Sequence, residues 1–163
     1  MMKRIHKLDP FTINQIAAGE VVDRPASVVK ELIENALDAQ STRIIIEIRE
    51  GGKRYIRVTD NGTGIHKDDV DVVFERHATS KIDKIDDLQS ILSLGFRGEA
   101  LASIASVSQV ELITRTENDS SGLYLRLHGG VLEEKKEIGC PIGTTLIINH
   151  LFYNTPARAE FLK

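Results

Sequence analysis

Residues 25–60 leave little freedom of fold. Pro25 can open a helix, because its missing N–H would have no intrahelical partner there. Apolar residues then recur at Val28, Val29, Leu32, Ile33, Ala36 and Leu37, the spacing of one helical face. From Arg43 to Arg49 the period changes to two, with Ile44, Ile46 and Ile48 on one side. Glu50-Gly51-Gly52-Lys53 supplies turn chemistry before a second strand, Arg54 to Asp60, in which Ile56 and Val58 set the buried phase. An amphipathic helix followed at once by such a hairpin predicts helix packed on sheet. Four more strands are predicted at Gln109 to Arg115, Leu123 to His128, Val131 to Ile138 and Thr144 to Asn149, with antiparallel connections. Short helices are predicted from Thr12 to Gly19, where Thr12 and Gln15 make a capping box, from Asp68 to Phe74, within Ile82 to Leu94, and from Glu99 to Ser106. The expected architecture is α+β: a two-layer sandwich, its mostly antiparallel mixed sheet covered on one face by helices.

The polar residues of this framework are grouped. At about 100° per residue, Glu31, Glu34, Asn35 and Asp38 share one arc of the first helix, opposite its apolar side. On their own they read as the solvated face of an ordinary amphipathic helix sooner than as a binding face. Asp60 is in phase with Val58 at the end of a strand and therefore turns toward the apolar side. A carboxylate there needs a donor, for which the exocyclic amino group of adenine is suitable. The alternative is an Asp60-Asn61-Gly62 turn bonding its own backbone. A third segment adds donors and positive charge: Arg76, His77, Thr79, Ser80 and Lys81, then Gly95-Phe96-Arg97-Gly98-Glu99. Its glycines permit close approach, and the helix after Gly98 would aim its first amides at anionic oxygens. Neither G-x-x-x-x-G-K-[ST] nor G-x-G-x-x-G occurs, so a phosphate would be held in another way.

The ordered motifs E-L-I-E-N-A-L-D-A, D-N-G-T-G-I, H-A-T-S-K-I, G-F-R-G-E-A-L and a later G-T resemble the GHKL (Bergerat-fold) ATPases. The runs N-Q-I-A-A-G-E-V-V-D-R-P-A-S-V-V-K and L-F-Y-N-T-P-A-R are similar to the MutL mismatch repair family within that group. The resemblance covers Leu8 to Lys163 and implies ATP and Mg²⁺ as cofactors. It implies Glu31 as general base toward the water attacking the γ-phosphate and Asn35 as the Mg²⁺ ligand, with Glu34 and Asp38 in supporting electrostatic roles. It implies that Asp60 reads adenine beside Asn61, that Gly62 and Gly64 leave room for the base, and that the Thr144 hydroxyl contacts the adenine region. His77, Thr79, Ser80 and Lys81 would begin a lid, and Gly95, Phe96, Arg97, Gly98, Glu99, Ala100 and Leu101 would form its phosphate-binding close. In the family the L-F-Y-N-T-P-A-R run leads into a second ATPase subdomain that supplies a lysine to the γ-phosphate, and a dimerisation domain lies further on. The resemblance thus makes residues 1–163 the nucleotide-binding part of a longer protein, with weak turnover expected of it alone. Its implied partners are a mismatch-recognition protein of the MutS type, DNA, a downstream nuclease or helicase, and a second copy in an ATP-dependent homodimer. Two departures stand out: Gln40-Ser41 replaces a frequent Gly-Ala after L-D-A, and Glu160 sits where a basic residue is frequent.

Other readings of the motifs are a histidine-kinase catalytic domain and an ATP-binding switch without hydrolysis. The N-Q-I-A-A-G-E-V-V and N-T-P-A-R runs speak against the first, and Glu31 against the second. At 163 residues and 41% hydrophobic, one core and one domain are expected. A net charge of −3 is not the footprint of an autonomous nucleic-acid binder, and Lys3, Arg4, His6 and Lys7 make only a small basic start. The single Cys140 excludes an internal disulfide and a cysteine-cluster metal site, which suits a reducing compartment. No apolar run approaches a membrane span and no signal peptide is evident, so an intracellular protein is expected, cytoplasmic in a bacterium or nuclear in a eukaryote.

Overall fold

The computed structural model describes residues 24–74 and 100–155. Helix α1 spans Pro25–Asp38 with Pro25 in its first turn. Six strands follow: β1 Ile44–Arg49, β2 Tyr55–Asp60, β3 Gln109–Arg115, β4 Gly122–His128, β5 Val131–Ile138 and β6 Gly143–Asn149. Between β2 and β3 lie a short α2, Val70–Val73, and the helical residues 100–106, here α3. The strands make one sheet in the order β1-β2-β6-β3-β4-β5. Every described pairing is antiparallel, so among the described residues the sheet is not mixed.

Strand β6, last in the chain, inserts between β2 and β3 and aligns three rows on the inner face. Ile48, Ile56, Ile148, Val110 and Leu127 form one row. Ile46, Val58, Leu146, Leu112 and Leu125 form the next. The third row is Ile44, Asp60, Thr144, Thr114 and Leu123. Alternation puts all three rows on one side. Val28 and Leu32 of α1, and Leu101, Ile104 and Ala105 of α3, join the sheet residues in a single core that also holds Val70, Val107, Leu151 and Phe152. The two-layer expectation is met, with the strands within a residue of their predicted starts.

The differences are local. Leu37, grouped by spacing with the apolar side of α1, is 59% exposed. It lies about 140° around the helix from Leu32, the middle of the buried stripe Val28, Leu32 and Ala36, so the stripe is narrower than the apolar recurrence. Ile46 and Ile48 keep the expected phase but remain 42% and 47% exposed, because β1 is an edge strand with a neighbour on one side only. Helix α2 is confined to Val70–Val73, within the expected Asp68 to Phe74. The expected helices at Thr12 to Gly19 and within Ile82 to Leu94, the basic start at Lys3 to Lys7, and Glu160 lie outside the described residues. No helix among the described residues is long and apolar enough to cross a membrane.

After β6 the chain is pinned to the underside of α3. Phe152 is fully buried, at a positive φ of 65°, and its N–H reaches the Val107 carbonyl at 2.6 Å. Asn154 donates from Nδ2 to the Ser106 carbonyl at 2.9 Å, satisfying a carbonyl in the last turn of α3 that has no helical partner. The L-F-Y-N run thus fixes the C-terminal end of α3 against the sheet.

Candidate nucleotide site

Two inner-face rows are apolar throughout, whereas the third carries Asp60, Thr144 and Thr114 side by side on β2, β6 and β3. Asp60 is only half-buried, and its Oδ1 accepts the Gly62 N–H at 2.8 Å. Burial raises its carboxyl above the ordinary aspartate range, while backbone N–H groups of Gly62 and Thr144 oppose that shift. Thr144 Oγ1 lies 2.9 Å from Thr114 Oγ1. Both threonines are in phase with buried leucines and valines, so their hydroxyls are carried on otherwise apolar surface. Thr114 was not singled out from the sequence. The available signal was its phase, two residues beyond Leu112 in the alternation Val110, Leu112, Thr114.

The loop after Asp60 joins this row to α1. Thr63 N–H donates to the Ala39 carbonyl at 2.9 Å, and Ala39 N–H in turn to the Asn35 carbonyl at 3.0 Å. A Cβ on Gly62 would stand 2.6 Å from the Ala39 carbonyl oxygen, and one on Gly64 2.0 Å from that of Arg115. The room these glycines leave is therefore taken by the protein's own backbone, between α1 and β3. Gly64 also has a φ of 76°, a conformation that favours glycine.

The Asn61 side chain is engaged within the protein. Its Oδ1 accepts the N–H groups of Thr42 and Arg43, both at 2.9 Å, and its Nδ2 donates to Thr42 Oγ1 at 2.9 Å. An amide so occupied holds the loop to the start of β1. The Asx turn weighed against a binding role for Asp60 is also present, through Gly62 N–H, and the Thr144 backbone N–H engages the same carboxylate.

On α1, Glu31, Glu34 and Asn35 are partly buried and Asp38 is exposed. Asn35 is the member of the polar arc nearest the buried stripe, about 20° from Val28 and 60° from Leu32. Its Nδ2 is buried with no hydrogen-bond partner. A buried amide proton without an acceptor costs about 1–3 kcal/mol, so this position is suited to meeting an oxygen-rich ligand. No group of three or more His, Cys, Asp or Glu side chains that could hold a metal occurs among the described residues. A hard cation beside Asn35 would accordingly take most of its oxygens from phosphate and water, which is how magnesium is commonly held.

Ala100 and Leu101, expected in the phosphate-binding close, are core side chains 1% and 7% exposed. Any contact they make to an anion is through backbone N–H. His77, Thr79, Ser80, Lys81, Gly95, Phe96, Arg97, Gly98 and Glu99 lie outside the described residues.

Comparison with known proteins gives the family of the chain. Residues 23–150 match the family described as histidine kinase-, DNA gyrase B- and HSP90-like ATPase. The chain is 57% identical to the DNA mismatch repair protein MutL of Acidobacterium capsulatum over 99% of its own length and 24% of that protein's. It is 56% identical to MutL of Halothermothrix orenii, covering 99% of this chain and 25% of the relative. The chain thus spans about a quarter of the length of the curated relatives it matches. Among solved structures, the Aquifex aeolicus MutL ATPase domain complexed with ADP superposes with a TM-score of 0.66 at 36% identity, over 88% of this chain and 49% of that one. The N-terminal domain of a DNA repair protein gives 0.78 at 31% identity, over 95% and 45%. The chain belongs to the histidine kinase-, DNA gyrase B- and HSP90-like ATPase family, in which its relatives are MutL proteins.

Proposed function

We propose that the chain binds ATP together with Mg²⁺ and hydrolyses it, as the nucleotide-binding part of a mismatch repair protein of the MutL type. The observation that carries this reading is the polar row Asp60, Thr144 and Thr114, bonded through the Thr63–Ala39 link to the helix that holds the unpartnered Asn35 amide. The row suits the edge of a base, and the helix face suits phosphates. That the Aquifex aeolicus relative holds ADP supports the same ligand class.

In this reading Asp60 accepts from the adenine amino group, and Thr144 lies beside it on the neighbouring strand. Asn35 would hold the cation through its amide oxygen, and its buried Nδ2 has no hydrogen-bond partner in the protein. Bound Mg²⁺ would offset charge on the β- and γ-oxygens of the nucleotide. Glu31, one helical turn before Asn35, orients and deprotonates the attacking water, with Glu34 and Asp38 shaping the field. Residues 95–101 close over the phosphates, with Ala100 and Leu101 contributing backbone N–H groups. His77, Thr79, Ser80 and Lys81 complete the lid.

At the level of the whole protein the reading extends to an ATP-driven switch in DNA mismatch repair. Its proposed partners there are DNA, a mismatch-recognition protein, a downstream nuclease or helicase, and a second ATP-bound copy. The MutL name of its relatives supports this. The test is calorimetric titration of the chain with ADP and Mg²⁺. Saturable binding that Asp60→Asn weakens supports the reading, and binding indifferent to Asp60 refutes it.

A further inference from the structure

Ser41 puts a hydroxyl where the resembled family frequently has alanine. Its N–H returns to the Ala36 carbonyl at 3.3 Å, which seats the residue against the end of α1. Its Oγ is buried and has no hydrogen-bond partner of full geometry. Gly62 fixes where that oxygen lies: a Cβ on Gly62 would stand 2.7 Å from Ser41 Oγ. Gly62 is also the residue whose N–H, at 2.8 Å, holds Asp60 Oδ1. The hydroxyl therefore sits on the α1 side of the Asp60 turn, and the Asp60 carboxyl is the acceptor on which it bears. Burial raises that carboxyl, and the Gly62 N–H, the Thr144 N–H and the Ser41 hydroxyl all act in the opposite direction. All three opposing groups are uncharged donors.

A buried hydroxyl left unpaired is costly, so its proton turns to an acceptor within reach. An ionised carboxylate is acceptor-only, with about four lone-pair sites on its two oxygens. The N–H groups of Gly62 and Thr144 engage it from the backbone, and a third donor from the helix side leaves its free capacity toward the open edge of the row. A protonated carboxyl fits three surrounding donors less well, because it carries a proton of its own. Resting on the nucleotide reading above, we propose that Ser41 is a positioning residue for the base contact: its hydroxyl donates to the Asp60 carboxylate from the α1 side, holding that group as an acceptor turned to the adenine amino group. Alanine at this position supplies no such donor.

The test pairs two measurements on the chain, Ser41→Ala, Asp60→Asn and the double variant: the Asp60 carboxyl titration by carbon-13 NMR without nucleotide, and ADP affinity across pH by calorimetry with Mg²⁺. Ser41→Ala is expected to move the Asp60 titration to higher pH. It is expected to weaken ADP binding by roughly two- to tenfold, the worth of one modest hydrogen bond. The loss of affinity on acidification is expected to begin at higher pH, since protonation then removes the acceptor sooner. In the Asp60→Asn background Ser41→Ala is expected to change ADP affinity no further, because it acts through the carboxylate. An Asp60 titration unmoved by Ser41→Ala overturns the proposal. Equal weakening of ADP in both backgrounds would reduce Ser41 to a structural residue and overturn it as well. Should Ser41→Ala fail to fold, Ser41→Cys, whose thiol is a weak donor, is expected to move the titration in the same direction, and an unmoved titration there also overturns the proposal. Failure of the nucleotide reading itself has a different signature: the titration would respond to Ser41→Ala while ADP affinity ignored Asp60→Asn.

Discussion

Asp60→Asn separates the cost of the site from its use. In the folded chain burial holds the Asp60 carboxyl above its ordinary range, so the charged form is disfavoured by folding. The sign follows from proton counting. Between the ordinary aspartate pKa and the raised folded value the native state binds more protons than the unfolded state, so stability falls as pH rises through that window. Above it the cost of the buried charge is present in full. Asn keeps an oxygen for the Gly62 N–H, now at 2.8 Å, and carries no charge to desolvate. The substitution is therefore expected to leave thermal stability at neutral pH unchanged or raise it, and to flatten its dependence on pH in the acid range. Nucleotide affinity should move the opposite way. A hydrogen bond to a charged acceptor contributes about 1.5–3 kcal/mol, and half-burial keeps Asp60 toward the lower end, so ADP binding should weaken about tenfold to a hundredfold. In the unsubstituted chain, ADP affinity should fall as pH drops through the raised carboxyl range, because protonation removes the acceptor. Paired thermal melts and titrations across pH measure both effects. Equal loss of fold and binding, or ADP affinity insensitive to the substitution, would refute the reasoning.

Four further outcomes are expected. Glu31→Ala, in a chain of the relatives' full length, should lower the ATP turnover rate by about 10²- to 10⁴-fold and spare ADP affinity; comparable loss of both would remove its role as base. Gly64→Ala should destabilise by roughly 1–3 kcal/mol from its positive φ alone, with more from the approach to the Arg115 carbonyl, read as a fall in melting temperature. Gln40 follows α1 with a φ of 61°, where glycine is favoured, so Gln40→Gly should stabilise by about 0.5–1 kcal/mol in denaturant melts. Phe152→Ala should cost about 3–5 kcal/mol, since its fully buried ring is in the core shared by α3 and the sheet.

How much could be read in advance depended on whether a position was decided by period or by placement. The alternations in β2, β3, β4 and β6 located those strands closely, because each packs one face on the core and must repeat with period two. The same rule failed for the burial of Ile46 and Ile48, since period reports phase while strand order decides who has a neighbour. The bonds that Asn61 makes within the protein were hidden for a related reason. Within D-N-G-T-G-I nothing distinguishes an amide that meets a ligand from one that meets Thr42 and Arg43, which become adjacent only when β1 and β2 pair. The departure at Gln40 was visible in the motif, but its meaning, a left-handed residue at the helix end, required the backbone.

Placement also explains why the candidate site is divided between two kinds of residue. Asp60, Thr114 and Thr144 stand on three strands that are remote in sequence and adjacent only because β6 inserts between β2 and β3. Each is the polar end of an apolar alternation, so the sheet that buries Val58, Leu112 and Leu146 in one row sets the polar three in the next. Residues proposed to meet phosphate come instead from α1 and from the first backbone N–H groups of α3, whose far end Asn154 and Phe152 hold in place. A substitution in the L-F-Y-N run that loosens α3 should therefore weaken phosphate binding and leave base preference unchanged. Asn154→Ala removes only the donor to the Ser106 carbonyl, without the cavity that Phe152→Ala would leave. It is expected to reduce the affinity for ADP relative to adenosine while the ADP to GDP ratio stays fixed. A changed base ratio would mean that the two halves of the site are coupled through the sheet, contrary to the division inferred here.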